Sequence, residues 1–303
     1  MRRMFVRSGG GIPGLLLYAG MEEAMFDYGI PATNSEDVNS GTSAGSIRGA
    51  MDSAGMTIHD YSEMLYSLKD CNIRSPRFLW KFRIPWLSWW LSKAPIQNLL
   101  EKYIPQTFEE LKVPLHVYAT DFTRYAIKEF SSGPLVPAVL ASMSIAGIFE
   151  GQIIDGRQYV DGGVVRNFPL RSDWREFDMV FLLAGSNTPR VSDGNMISRL
   201  LYNMETLMED QINDVFEQVG INPEDVYRNG AAYIMHGKTL VVALRPCLDV
   251  KTSMLHVDHS LINKAYNFTM KVLESGIGNV IINHINKLEG KHERSCQLTL
   301  SGV

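Results

Sequence analysis

Ser43 sits in the stretch Gly41-Thr42-Ser43-Ala44-Gly45. A GxSxG turn between a strand and a helix forces a sharp, strained bend. Only small residues fit two places before and two places after the serine. Such a bend exposes the hydroxyl at a helix N-terminus, where backbone N–H groups favour developing negative charge. The alternative is an ordinary glycine-rich turn, since a single short motif is weak by itself. A second glycine run, Ser8-Gly9-Gly10-Gly11-Ile12-Pro13-Gly14, lies between an apolar strand and a helical pattern. Consecutive glycines let backbone N–H groups converge, as an oxyanion hole requires. This makes Gly9, Gly10 and Gly11 its candidate donors, with Gly14, Gly41 and Gly45 as motif support. Pro13 brings no N–H, but that donor is unpaired anyway in a first helical turn. Gly9-x-Gly11-x-x-Gly14 also fits a dinucleotide-binding fingerprint. That reading needs an acidic residue at the end of the second strand, whereas Glu36 and Asp37 precede it.

A serine hydroxyl needs a base to take its proton. None of the seven histidines (His59, His116, His236, His256, His259, His284, His292) falls in a recognisable catalytic context. An α/β-hydrolase arrangement also fits poorly, because its serine turn follows several strands. Asp161, in Tyr159-Val160-Asp161-Gly162-Gly163, is the other candidate. Gly162 and Gly163 allow close backbone approach, and a carboxylate in hydrogen-bond reach can serve directly as the base. An isolated Asp-Gly-Gly would otherwise read as a turn.

The elements that would carry these residues follow from periodicity. Residues 4–6 predict a strand, and Leu15 to Gly29 a helix ended by the glycine. A strand stub precedes Ser43 and a small-residue helix follows it. Helices are expected at 59–70, around 96–111, at 137–147 and at 195–219, with a C-terminal pair at 258–274 and 277–289. Strands are expected at 114–122, 126–133, 179–185 and 239–246. Asp155-Gly156 between two β-prone arms predicts a hairpin over 151–163. Strands alternating with helices indicate an α/β fold with a mainly parallel sheet. No linker cuts the chain, so a single domain over 1–303 is expected. Its core would cover about 4–185, followed by a helix-rich extension over about 186–290 and a loose tail at 291–303.

In this order the landmarks resemble those of the patatin-like phospholipase family. They are the Gly9–Gly14 loop, Gly41–Gly45, "ASMSIAGIF" at 141–149 and "IIDGRQYVDGGVVRNFPL" at 153–170. The resemblance covers roughly residues 4–185. It implies a three-layer α/β/α fold and lipid acyl hydrolysis of phospholipase A or lysophospholipase type. It also implies a Ser–Asp dyad of Ser43 and Asp161, with the Gly9 to Gly11 N–H groups as the oxyanion hole. The family usually carries Arg or Lys where this chain has Pro13, and commonly proline where it has Ala146.

The formal net charge is −4, with 45% hydrophobic and 20% charged residues. This balance suits a globular chain and gives no field for nucleic acid. Cys71, Cys247 and Cys296 are scattered and suggest neither zinc nor a disulfide framework. No metal or organic cofactor is expected. No apolar run approaches the ~20 residues of a membrane span, and the N-terminus lacks a signal-peptide core. A cytoplasmic protein, peripherally membrane-bound through its lipid substrate, is the expectation. Trp80, Trp86, Trp89 and Trp90, flanked by Lys81, Arg83 and Lys93, suit a membrane–water interface, or alternatively a cap over the sheet. Trp86, Trp89 and Trp90 are the membrane-contact candidates. Two other function classes stay open: a non-catalytic lipid-binding or scaffold protein that keeps the fold, and a nucleotide-binding protein.

Overall fold

The computed structural model describes residues 1–66, 92–185, 196–248 and 257–290. The tryptophan segment and the tail lie outside these residues. In chain order the elements are β1 (Arg3–Arg7), α1 (Gly11–Asp27), β2 (Val38–Thr42), α2 (Ala44–Ser53), α3 (Ile58–Tyr66) and α4 (Ala94–Tyr103). Then come β3 (Leu115–Asp121), β4 (Ala126–Phe130), α5 (Leu135–Ser142), β5 (Gln152–Ile154), β6 (Arg157–Asp161) and β7 (Met179–Leu183). The chain continues through α6 (Met196–Gln218), α7 (Pro223–Asn229), β8 (Ala231–His236), β9 (Thr239–Leu244), α8 (Ser260–Val272) and α9 (Gly278–Leu288).

The strands form one sheet in the order β5-β6-β3-β2-β1-β7-β9-β8, with β4 also paired to β3. The centre, β3-β2-β1-β7-β9, is parallel, and β4, β6 and β8 pair antiparallel at the two sides. The central strands read as unbroken apolar runs because both sheet faces are covered. Phe5, Phe181 and Val242 pack against α1, α2, α5 and α8 on one face. Their neighbours Met4, Val6, Leu182 and Val241 pack on the other face against Ile212 and Phe216 of α6 and Val226 of α7. The three-layer α/β/α arrangement is therefore present, with its helical C-terminal part.

Some expected elements change in detail. Helix α1 begins at Gly11, directly on the glycine loop. The helix expected to reach residue 147 stops at Ser142. Beyond it, the Ser144 hydroxyl turns back to the Leu140 carbonyl at 2.6 Å, the local competition by which serine ends helices. Strand β8 and helix α7 carry no strong sequence pattern and emerge only in the structure. The Asp155-Gly156 hairpin is present, with φ of 49° and 73° at its two turn residues, as a primed turn requires.

Strand β3 positions the site. Strand β4 lies along one edge of β3 from Val117 to Asp121, so β2 and β6 share the other edge. Thr42 of β2 is opposite Tyr118, and Asp161 of β6 is opposite Ala119, the very next residue. Two strands running in opposite directions thus end against each other, and Ser43 follows directly from one of them.

Candidate active site

Ser43 links β2 to α2 with φ 52° and ψ −121°, in the positive-φ region that non-glycine residues rarely enter. Packing enforces this conformation. A Cβ on Gly41 would lie 2.4 Å from the Gly45 carbonyl oxygen, and one on Gly45 would lie 2.3 Å from the Arg7 oxygen. Neither position admits a side chain, which is the steric requirement read from the motif. The backbone N–H of Ser43 donates to Ser142 Oγ at 2.9 Å, and that hydroxyl donates to the Tyr118 carbonyl at 2.6 Å.

Asp161 is fully buried. Its Oδ1 accepts the Gly163 N–H at 2.7 Å, and its own N–H donates to the Ser144 carbonyl at 2.8 Å. Oδ2 is buried with no hydrogen bond of full geometry among the described residues. Burial pushes the Asp161 carboxyl up to about 6, while Ser43 and the Gly163 N–H pull it down. Ser43 is thus near enough to favour the ionised carboxyl, although no hydrogen bond joins its hydroxyl to Oδ2. The structure brings together the two residues singled out in the sequence.

The glycine loop runs beside them. A Cβ on Gly9 would sit 3.1 Å from the Ser43 Cβ. The Gly9 N–H, however, is taken by the Asn167 carbonyl and by Asn167 Oδ1, both at 3.1 Å. Among the described residues no acceptor meets the N–H of Gly10 or Gly11. These two stand at the start of α1, where the helix dipole is positive. Pro13 is the third residue of that helix, so its missing N–H leaves both donors intact. Gly14 supports the same close packing, since a Cβ there would lie 2.9 Å from the Gly185 oxygen. Gly162 is as tight, 2.4 Å from the Tyr118 oxygen by the same measure.

Next to Ser43 is a small apolar cavity of about 50 Å³, lined by Ile12, Leu15, Ile47, Met143 and Phe149 among others. A larger cavity of about 480 Å³ lies at the far ends of α1 and α2 and does not include Ser43. The smaller cavity is the one that meets Ser43, and its lining is apolar.

The histidines of the described residues serve elsewhere. His116 lies between Glu129 and Arg171, His59 pairs with the exposed Glu63, and His236, His259 and His284 meet backbone carbonyls. Asp37, which ribose binding would need, is fully buried in a salt bridge with Arg3. No group of three metal-ligating side chains and no helix long and apolar enough to cross a membrane occurs among the described residues.

Four positioning residues escaped the sequence reading. Ser142 and Ser144 lie within the quoted "ASMSIAGIF", and Asn167 within "DGGVVRNFPL", so a signal existed without a role. Gln211, on α6, had none. It accepts the Asn167 N–H at 2.5 Å through Oε1 and donates to the Gly163 carbonyl at 3.0 Å through Nε2.

A family model, the patatin-like phospholipase, matches residues 6–174, more than half of the chain. The chain belongs to the patatin-like phospholipase family. Among curated relatives, uncharacterized NTE family proteins of Mycobacterium bovis and Mycobacterium tuberculosis are 35% identical over 66 residues. That stretch is 22% of this chain and 18% of each relative. VipD from Legionella pneumophila superposes with a TM-score of 0.50 at 15% identity, covering 90% of this chain and 67% of that one. Human GIVD cytosolic phospholipase A2, in complex with methyl gamma-linolenyl fluorophosphonate, gives 0.51 at 9% identity, covering 95% and 59%. At such identities these two likenesses concern the patatin-like fold alone.

Proposed function

We propose that this chain is a serine-dependent lipid acyl hydrolase, of phospholipase A or lysophospholipase type, acting at a membrane surface. The observation that carries the proposal is the abutment of β2 and β6 on one edge of β3, which sets the Asp161 carboxyl beside the strained Ser43 turn. Ser43 Oγ attacks the ester carbonyl carbon, and its proton passes to Asp161 Oδ2, the oxygen that Gly163 leaves free. The N–H groups of Gly10 and Gly11 receive the carbonyl oxygen as it gains charge. Gly9 acts one step back, its N–H holding Asn167. Collapse breaks the ester C–O bond, and the departing alcohol takes the proton from Asp161. Water then attacks the acyl-serine and gives its proton to Asp161. The fatty acid leaves and Ser43 regains its proton. The apolar cavity beside Ser43 supplies the start of an acyl path.

The test is labelling by a long-chain fluorophosphonate, together with fatty-acid release from phospholipid vesicles. Wild type should do both. Ser43→Ala should lose labelling, and turnover should fall about a thousandfold or more. Folded wild type that neither labels nor releases fatty acid would leave a non-catalytic lipid-binding protein.

A further inference from the structure

Lys93 lies at the entrance to α4, half-buried. Its ammonium donates to Gln152 Oε1 at 2.9 Å and to Ser144 Oγ at 3.3 Å. Ser144 is the residue whose carbonyl holds the Asp161 N–H. The neighbours of Ser144, Met143 and Ile145, line the apolar cavity with Ser43, as does Ile96, three residues beyond Lys93 on α4. A cation thus stands beside the site, on the side of Asp161.

Its surroundings do not balance its charge. An ammonium has three donors, and two are occupied by neutral oxygens. Among the described residues no carboxylate lies within ion-pair distance of Lys93. Burial draws its pKa down, and Glu150, exposed and acting only at longer range, opposes this. A partly desolvated cation with no ion-paired anion among the described residues is costly. A methionine or glutamine would pack there without that cost, so the placement suits an anion that arrives with a ligand.

A ligand whose ester met Ser43 would lie along Met143 and Ile145, on either side of the Ser144 that Lys93 touches. Its carbonyl is neutral, and the carboxylate it yields forms at Ser43 itself. The anion that a glycerolipid carries a few bonds from its ester is a head-group phosphate, and lysine binds phosphate as a point charge. We propose that Lys93 is a specificity residue that binds the head-group phosphate and favours phosphate-bearing glycerolipids over uncharged esters. The proposal rests on the reading of Ser43 as the nucleophile.

The experiment compares dihexanoyl phosphatidylglycerol with dihexanoylglycerol, both below their micellar concentrations so that adsorption to a surface does not enter. Lys93→Met should raise KM about tenfold for the phosphate-bearing lipid, the value of one charge-assisted contact. It should leave kcat/KM for dihexanoylglycerol within about twofold, and Lys93→Arg should restore most of the difference. Equal losses on both substrates, or no loss on either, would overturn the proposal, because a structural lysine affects both alike. Calorimetric binding of dihexanoyl phosphatidylglycerol in the Ser43→Ala background separates this from the catalytic reading. Lys93→Met should weaken that binding about tenfold. Unchanged binding refutes the phosphate contact whether or not the wild type turns over any ester.

Discussion

Ser142 accepts the backbone N–H of Ser43 through its hydroxyl at 2.9 Å, while its own proton goes to the Tyr118 carbonyl at 2.6 Å. One side chain therefore ties the strained turn to β3, the strand on which β6 also ends. Ser142→Ala leaves the buried Ser43 N–H without an acceptor, at a cost of about 1–3 kcal/mol. The positive φ of Ser43 loses a restraint at the same time. The variant should unfold at lower urea concentration, and while still folded it should react with fluorophosphonate roughly tenfold more slowly. An unchanged labelling rate would reduce Ser142 to a packing residue.

The Asp161 carboxyl, raised to about 6, sets two pH dependences of defined sign. As the proposed base it must be ionised, so kcat/KM should fall as pH drops below about 6. For stability, the folded state holds the proton more tightly than the unfolded chain, whose carboxyl has the ordinary value of 3.8. Stability therefore falls as pH rises through the window from about 4 to 6, and the cost persists above it. A difference of about two pKa values corresponds to roughly 3 kcal/mol at most. Asp161→Asn removes the ionisation. Relative to wild type it should gain stability between pH 4 and pH 7 in urea titrations while losing activity. A variant whose stability runs parallel to wild type across that window would refute the buried, raised carboxyl.

Asp37 offers a contrast that separates stability from chemistry. Its carboxylate accepts from the Arg3 side chain, from the Arg3 N–H and from the Asn34 N–H, all at the start of β1 and β2 and far along the strands from Ser43. Asp37→Ala leaves a buried guanidinium unpaired, which costs about 3–5 kcal/mol. Thermal unfolding should record that loss. Fluorophosphonate labelling of Ser43 at low temperature should stay within about twofold of wild type. Loss of labelling in the folded variant would mean that the strand ends are coupled to the site.

What the sequence made legible was local. Gly41 and Gly45 announced a turn too tight for side chains, the Asp155-Gly156 turn announced a hairpin, and uniform apolar runs announced buried parallel strands. Asp161 was singled out by its Asp-Gly-Gly setting and by ordered landmarks, not through periodicity. Its place near the Ser43 turn depends on β2 and β6 abutting on β3, a register no local pattern records. Gly9 shows the same limit. Its place in the loop was readable, but the use of its N–H by Asn167 arises from a fold that brings residue 167 back to residue 9. Gln211 was silent because a glutamine on a helix face is ordinarily solvated, and only packing of α6 on the Gly162–Val164 turn gives it a task.

That task yields the last prediction. Gln211 joins two parts of the site at once, since the Gly163 carbonyl lies two residues after Asp161 and Asn167 holds Gly9 of the glycine loop. Asn167 in turn donates to the Met208 carbonyl at 3.3 Å, so α6 grips the same segment twice. Gln211→Ala removes two hydrogen bonds and should cost about 1–3 kcal/mol of stability. A merely structural role ends there. A positioning role goes further, because a slight misplacement of Asp161 against Ser43 weakens proton transfer more than ester binding. The expected signature is a fall in kcat of about tenfold or more with KM within about twofold, partly restored in Gln211→Asn if the shorter amide still reaches Gly163. Steady-state kinetics on a soluble short-chain ester, with urea titrations alongside, would read both quantities. A variant that loses stability and keeps kcat would make α6 a brace for the fold alone.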